Sequence, residues 1–233
     1  MAAIRSRPET LFQAITLAAV GGYLDAFTFL RFGVFANAQT GNVILVGVDA
    51  GARHWRSAAL HLIPIFAFML GVLVVETLAR DEVRRSMRRP LRVALGGEIV
   101  ALATVASLPD SAPDLLITVT VALVAAIQFS AFRTMADGPY ANVLASGNIR
   151  TMVVAAHQAW TQRDEAARRQ AGHLAIVLLA FLVAAILAAV IAIHAGNAAL
   201  GVPAGLLVAT FAHLVLDTRR VERAAAAQGE SGV

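Results

Sequence analysis

The sequence predicts an all-α integral membrane protein with six transmembrane helices and two re-entrant or broken half-helices, arranged as an inverted internal repeat of three spans each. Composition is the first observation behind this prediction. Of the 233 residues, 58% are hydrophobic and 15% are charged, and the mean hydropathy is +0.71, whereas a soluble domain is about half apolar and about a quarter charged. The other two observations are the length of the apolar segments and the motifs that the two halves share.

A membrane-spanning helix needs about 20 mostly apolar residues. Six segments meet this requirement: 11–30, 58–79, 91–109, 115–134, 172–195 and 198–216. The loops between them are short, so we expect one membrane domain over 1–233. It would comprise repeat A (11–109), repeat B (115–217) and a disordered C-terminal tail (222–233).

The first segment has some features of a cleavable signal peptide. Arg5 and Arg7 precede an apolar run, and 36–38 reads Ala-Asn-Ala. Because the run is long and carries Tyr23 and Asp25, we favour an uncleaved first helix.

Two further segments, near 33–51 and 138–160, are apolar but begin with polar and helix-breaking residues. Non-helical backbone at membrane depth is tolerated only where it is buried in protein or lines a wet cavity. We therefore interpret each segment as an extended descent followed by a half-helix, with Thr40 and Ser146 as N-caps.

The two halves share motifs in the same order, which indicates an internal repeat. The strongest pair is TGNV at 40–43 and SGNI at 146–149. The weaker pairs are DAF with SAF (25–27, 130–132), HL with HL (61–62, 173–174) and ALGG with ALGV (94–97, 199–202).

Arginine placement decides between crossing and returning half-helices, because cytoplasmic loops are enriched in basic residues. If both half-helices return to the side they entered, only Arg31, Arg53 and Arg56 face outside. The other basic groups then share the cytoplasmic side with both termini. An odd number of spans per half inverts the second half relative to the first.

Paired half-helix starts at the midplane are a common transporter binding site, because exposed N–H groups and the positive dipole end face the solute. The residues predicted to bind solute are Asn37, Thr40, Gly41, Asn42, Gln128, Ser146, Gly147 and Asn148. The alternative is that these small polar residues only allow helices to pack closely.

Three charged residues lie at membrane depth and are candidates for coupling. Asp25 is interpreted as a proton or cation site, or else as a hydrogen bond between helices. Glu98 is interpreted as a second carboxyl group or as a partner of Arg150. Arg150 is interpreted as an anion clamp or as one half of a buried ion pair.

Several function classes are not expected. The chain has no Cys, which excludes disulfides and thiolate chemistry. Phosphate-loop, zinc-protease and nucleophile-elbow motifs are absent, so we expect no enzyme. The histidines are not spaced as metal ligands, and the basic residues flank the membrane segments. We therefore expect no metal, no cofactor and no nucleic acid partner.

Residues 21–47 resemble the signature of the YoaK-like family of bacterial inner-membrane proteins. That signature is a G-[FY]-x-D-A-x-[ST]-[FY] helix followed by an N-x-T-G-N segment. GYLDAFTF (22–29) matches the helix, and NAQTGN (37–42) corresponds to the segment with one additional residue between Asn37 and Thr40. The second half resembles a G-x-Q-N-A…T-G element through Gln128 and 146–147, but Ala126, Phe129 and Ser146 depart from it. The resemblance implies a multi-spanning protein of the bacterial inner membrane and assigns no biochemical function.

We expect a transporter of a small polar or charged solute, coupled to a proton or cation. One alternative is an uncoupled, channel-like pore. The other is a membrane scaffold that binds a partner through the Arg-rich loop 80–92. The expected surroundings are the lipid bilayer. The candidate assembly is a homodimer, because six short spans make a thin wall.

Overall fold

The structure is a computed structural model, and it describes residues 9–79, 90–132, 134–135, 138–139 and 145–230. The helices in this part of the chain are α1 (Leu11–Phe32), α2 (Gln39–Gly51), α3 (Trp55–Leu78), α4 (Pro90–Ala106), α5 (Asp114–Ala131), α6 (Ala145–Gln162), α7 (Glu165–Ala195) and α8 (Gly201–Glu230). A 3-10 turn (Gly196–Leu200) joins the last two helices, and the two-residue strands β1 (Thr134–Met135) and β2 (Gly138–Pro139) pair antiparallel before α6. Apart from this short ladder the described fold is helical, so the all-α prediction is confirmed.

Local sequence signals set several helix ends. At the start of α1, Thr10 Oγ1 accepts the Gln13 N–H and Gln13 Oε1 accepts the Thr10 N–H, which forms a capping box. Gly33 ends α1 in the left-handed region at φ 70°, where glycine has no steric penalty. Asp164 caps α7 by accepting the N–H groups of Ala166 and Ala167.

Among the described residues, four stretches are long and apolar enough to cross a membrane: Leu11–Phe32, Trp55–Leu78, Asp114–Ala131 and the continuous helical stretch Glu165–Arg220. Large apolar side chains are exposed along them, including Phe66 (62%), Leu73 (62%) and Ile193 (68%). Exposure on this scale is typical of a lipid-facing surface. These are the features of an integral membrane protein.

The core is built around α1. Ala14 and Ala18 pack against Leu174 and Val177, and Gly22 lies against the Phe181 backbone. The contacts advance in the same direction along both helices, so α1 and α7 are parallel. A Cβ at position 22 would overlap the Phe181 carbonyl group, so this close approach requires glycine.

Helix α8 runs back along α1. The Tyr23 hydroxyl donates to Ala199 O at 2.8 Å, and Thr210 Oγ1 donates to Thr16 Oγ1 at 2.7 Å. The later residue of α1, Tyr23, meets the earlier residue Ala199, and the earlier residue Thr16 meets the later residue Thr210. Helices α1 and α8 are therefore antiparallel. The stretch Glu165–Arg220 is therefore two helices that turn back at Gly196.

One end of the bundle is marked by Asp110. Its Oδ1 accepts the Asn197 N–H at 2.8 Å and lies 3.5 Å from Arg31 Nη2. This end, called here the Asp110 end, joins the end of α1, the α4–α5 loop and the α7–α8 turn. The opposite end carries the start of α1, where the Phe12 ring stacks on His213 at 4.8 Å.

The principal packing pairs match between the two halves. Helix α1 packs on α7 as α5 packs on α3, α2 packs on α3 as α6 packs on α7, and α1 packs on α8 as α5 packs on α4. The α2–α3 and α6–α7 connections each contain an arginine with positive φ, at Arg53 and Arg163.

The largest differences from the predicted boundaries are at the start of α7 and at the C-terminal end of α8. Helix α7 begins at Glu165 instead of residue 172, because Asp164 caps it. Where the sequence predicted disorder from residue 222, α8 continues to Glu230. The run of alanines at 224–227 has high helix propensity, which accounts for the longer helix. Residues 80–89 of the predicted Arg-rich loop lie outside the described residues.

Candidate functional site

After α1 the chain reverses and runs back along it. The Gly33 N–H bonds to Phe29 O at 2.9 Å, and the Phe35 ring stacks on the Phe29 ring with centroids 4.7 Å apart. Residues 33–38, called here the returning segment, are not helical. Helix α2 consequently begins beside the middle of α1, and it ends at the Asp110 end, where Asp49 meets His61 on α3.

The Asp25 carboxylate holds the start of α2. Asp25 Oδ1 accepts the Asn37 N–H at 2.6 Å and the Ala38 N–H at 3.4 Å. Ala38 is the N-cap of α2 and has no side-chain cap of its own. An acidic group at a helix N-terminus interacts favourably with its dipole. The carboxylate of α1 thus occupies the position where the sequence predicted a polar or charged solute.

Asn37 completes this contact and retains one unused acceptor. Its Nδ2 donates to Gly21 O at 3.3 Å. Its Oδ1 is buried and has no hydrogen-bond partner among the described residues. Asp25 is 7% exposed and Asn37 is 2% exposed, so both polar groups lie inside the protein.

Asn42 is fully buried and clamps the returning segment to α2. Its Oδ1 accepts the Phe35 N–H at 2.9 Å, and its Nδ2 donates to Phe35 O and to Gln39 Oε1, both at 2.8 Å. All three of these hydrogen bonds join Asn42 to residues within the same stretch of chain, Phe35 and Gln39. Its side chain therefore positions α2.

Thr40 has another position than the sequence indicated, and Gly41 packs against an aromatic ring. Helix α2 begins at Gln39, so Thr40 lies inside the helix and is exposed, and the prediction that it is the N-cap is wrong. The reason is that Asp25, twelve residues from Asn37, bonds to the N–H groups at the helix start. Gly41 lies under the Phe35 ring, which a Cβ would meet at 2.7 Å.

The second half places its motif on α6. Ser146 also lies within its helix and not at the N-cap, because α6 begins at Ala145. Ser146 and Gly147 are exposed, and Asn148 is buried at 3% exposure. Helix α6 packs on α7 and α2 packs on α3, so the principal packing does not join the two half-helix starts.

The remaining candidates are separated from one another. Gln128 is fully buried, and its Nε2 donates to Leu17 O at 2.8 Å, which ties α5 to α1. Arg150 is exposed, and in the described part of the chain it forms no ion pair with Asp25 or Glu98. Glu98 is 1% exposed, and neither of its carboxyl oxygens has a hydrogen-bond partner among the described residues.

Two polar contacts near the end of α2 were not predicted from the sequence. His61 Nε2 lies 3.0 Å from Asp49 Oδ2, and His54 Nδ1 lies 3.8 Å from Asp49 Oδ1. The residue spacings alone gave no signal, because the α2–α3 turn brings Asp49 to His61. Within the described residues, no group of three His, Cys, Asp or Glu side chains could hold a metal ion.

A cleft of about 120 Å³ opens at the Asp110 end next to the returning segment. It is lined by Phe32, Val34, Leu60, Ile63, Asp114, Leu115 and Thr118. Its lining is mostly apolar, with one carboxyl group, and it contains none of the residues predicted to bind solute.

Comparison with known proteins gives one finding. A family model described as protein of unknown function (DUF1275) matches residues 13–213. This match agrees with the resemblance read from residues 21–47. No curated protein and no solved structure matches the chain.

Proposed function

Because the chain belongs to the family of proteins of unknown function DUF1275, we propose its function from its geometry: it carries a small polar or charged solute across the membrane. The observation that supports this proposal is the buried contact between Asp25 and the start of α2. A charged side chain at membrane depth marks a functional site by default. Here the carboxylate holds a short helix that follows a non-helical segment, which is how transporters build solute sites.

The proposed topology has six spans, both termini in the cytoplasm of a bacterial cell, and α2 and α6 as re-entrant half-helices. The support comes from the matched packing pairs and from helix directions. Helix α2 lies towards the Asp110 end. On α6, Met152 packs with Ala14 and Ala18 near the opposite end. Half-helices that enter from opposite ends are what two inverted repeats would produce.

Solute binding is proposed at the α2 start. The unused acceptor Asn37 Oδ1 would receive a donor from the solute, with Thr40 and Gly41 at the rim of the site. The cleft at the Asp110 end would be the approach. Ser146, Gly147 and Asn148 are the proposed counterpart on α6, with Gln128 and Arg150 in supporting roles.

Coupling is proposed through Asp25. While Asp25 is ionised, its charge favours the N–H groups of Asn37 and Ala38 and keeps α2 in place. Protonation, or capture of Asp25 by a cation, removes part of this attraction and frees the start of α2 to move. The solute site would then open towards one side of the membrane only when Asp25 has changed its charge.

A thermal-shift screen of the purified protein tests solute binding. The probes are organic anions, amino acids, nucleobases, inorganic ions and organic cations. A ligand at 100 times its Kd stabilises the native state by about 2.7 kcal/mol. For a chain of this size that raises the apparent midpoint by about 5–10 °C. We expect a ligand whose stabilisation is lost in Asn37→Ala and kept in the control Glu76→Gln, since Glu76 is exposed on α3.

Uptake into proteoliposomes then tests coupling. We expect Asp25→Asn to abolish uptake driven by a pH or cation gradient, while Glu76→Gln transports like the wild type. If Asp25→Asn still conducts the solute and only loses selectivity, the protein is a pore. If no probe stabilises the protein and Asn37→Ala is as stable as the wild type, the solute site is refuted and a scaffold role takes its place.

A further inference from the structure

Glu98 is the most deeply buried acidic side chain among the described residues. It is 1% exposed, and both carboxyl oxygens are without a hydrogen-bond partner in that part of the chain. Buried polar groups in native proteins are almost always hydrogen-bonded, and each exception requires an explanation. The contacts of α4 do not supply one.

The neighbourhood of Glu98 is apolar. Leu95 and Leu102, about one helical turn before and after it, are fully buried in the main core cluster. Helix α4 packs against α5, α8 and the 3-10 turn between α7 and α8. These elements therefore bury the carboxyl group inside the helix bundle.

Charged groups on the packed elements do not neutralise Glu98. The 3-10 turn has no charged side chain, and α5 has only Asp114, at its first residue. On α4 and α8 the other described titratable side chains are Arg92, His213, Asp217, Arg219 and Arg220. None of them forms an ion pair or a hydrogen bond with Glu98. Arg92 lies six residues earlier on α4, about 9 Å along the helix axis.

Burying an ionised carboxylate with no partner costs far more free energy than burying a neutral acid. A carboxyl group that makes no hydrogen bond also adds nothing to packing that an apolar side chain would not add. A purely structural role thus leaves the presence of Glu98 unexplained, whereas reversible occupation by a proton explains both the burial and the missing partners.

We propose that Glu98 is a proton-binding site inside the membrane domain. It holds a proton in the packed arrangement seen here and releases it when the contact between α4 and α8 admits water. Asp25 differs because backbone N–H groups already occupy one of its oxygens. The proton site stands by itself, and only its use in driving solute movement rests on the proposed function.

Carbodiimide labelling of the full-length protein in lipid nanodiscs tests the site. Carbodiimides react with the protonated carboxyl group, and dicyclohexylcarbodiimide partitions into apolar surroundings whereas a water-soluble carbodiimide does not. We expect peptide mass spectrometry to find the dicyclohexyl adduct on Glu98 and no adduct there from the water-soluble reagent. The exposed Glu165, which begins α7 before the apolar span predicted from residue 172, is the control and should show the opposite preference.

Labelling should also depend on pH. Above the pH at which the site releases its proton, we expect labelling at Glu98 to fall about tenfold per pH unit. An infrared carbonyl band of a protonated acid should disappear over the same range, and it should be missing in Glu98→Gln. Absence of the apolar adduct, or labelling that does not change with pH, would overturn the proposal. The labelling uses the wild-type protein, so it does not require the variant to fold.

The two proposals fail in different experiments. If Glu98 is not labelled but a solute still stabilises the protein, the proton site is refuted and the solute site stands. If Glu98 is labelled as expected and no solute binds, the reverse holds. Where both succeed, Glu98→Gln should keep solute stabilisation and lose the pH dependence of uptake.

Discussion

Replacing Asn42 by alanine tests whether this residue holds the returning segment in place. The side chain is fully buried and makes three hydrogen bonds, two of them to the backbone of Phe35. Alanine leaves the Phe35 N–H and C=O without these partners. Each unsatisfied buried group costs about 1–3 kcal/mol. Because Phe35 is only partly buried, we take the lower part of that range and expect a total of about 2–4 kcal/mol.

The expected loss is large enough to measure. For a chain of 150–250 residues, 1 kcal/mol moves the unfolding midpoint by about 2–4 °C, so we expect a fall of about 4–16 °C for Asn42→Ala. Thr40→Ala is the matched control for stability, since Thr40 is on the same helix, is exposed and makes no side-chain hydrogen bond in the described structure. It should change the midpoint by at most about 2 °C, as surface substitutions stay within about 0.5 kcal/mol.

Hydrogen exchange gives the local readout. The Phe35 amide should lose protection in Asn42→Ala and keep it in Thr40→Ala, because only the first variant removes its acceptor. If the two variants are equally stable and exchange over 33–38 is the same in both, Asn42 does not position α2 and the interpretation of the site is refuted.

Two further substitutions test the packing around α1. Gly22→Ala places a Cβ against the Phe181 carbonyl group, so we expect a loss of about 1–3 kcal/mol. In Gly47→Ala the new Cβ meets nothing within 4 Å, so that control should be neutral or slightly stabilising. Equal midpoints for the two variants would refute the close approach of α1 and α7. Tyr23→Phe removes the hydrogen bond to Ala199 O and should lower stability by about 1 kcal/mol; an unchanged midpoint would show that this bond does not hold α8 against α1.

Part of the candidate site could be predicted from the sequence. The polar residues after the first helix predicted a break, and residues 33–38 are not helical. The burial of Asn42 and Asn148 also fits their shared place in the two motifs. The helix start itself was misplaced, because the sequence suggested the hydroxyl of Thr40 as the cap. Only the three-dimensional fold brings Asp25 to the N–H groups that a cap would otherwise satisfy.

The three residues proposed for coupling also show what the sequence can and cannot predict. The sequence marks Asp25, Glu98 and Arg150 as charges in apolar segments, because hydropathy is a local property of the chain. Whether such a charge has a partner depends on which helices pack together. Packing gives Asp25 two backbone donors, leaves Glu98 without any partner among the described residues and places Arg150 on the surface.

The sequence by itself determined that this is a helical membrane protein and where its apolar segments lie. Composition and the length of the apolar runs act through the transfer free energy of each segment from water to lipid, and both can be read from neighbouring residues. The tertiary structure decided which helices are partners, with Gly22 against Phe181 and Gln128 against Leu17. Such contacts join residues more than 100 positions apart. They depend on shape and on hydrogen-bond geometry, which a one-dimensional pattern of apolar residues does not contain.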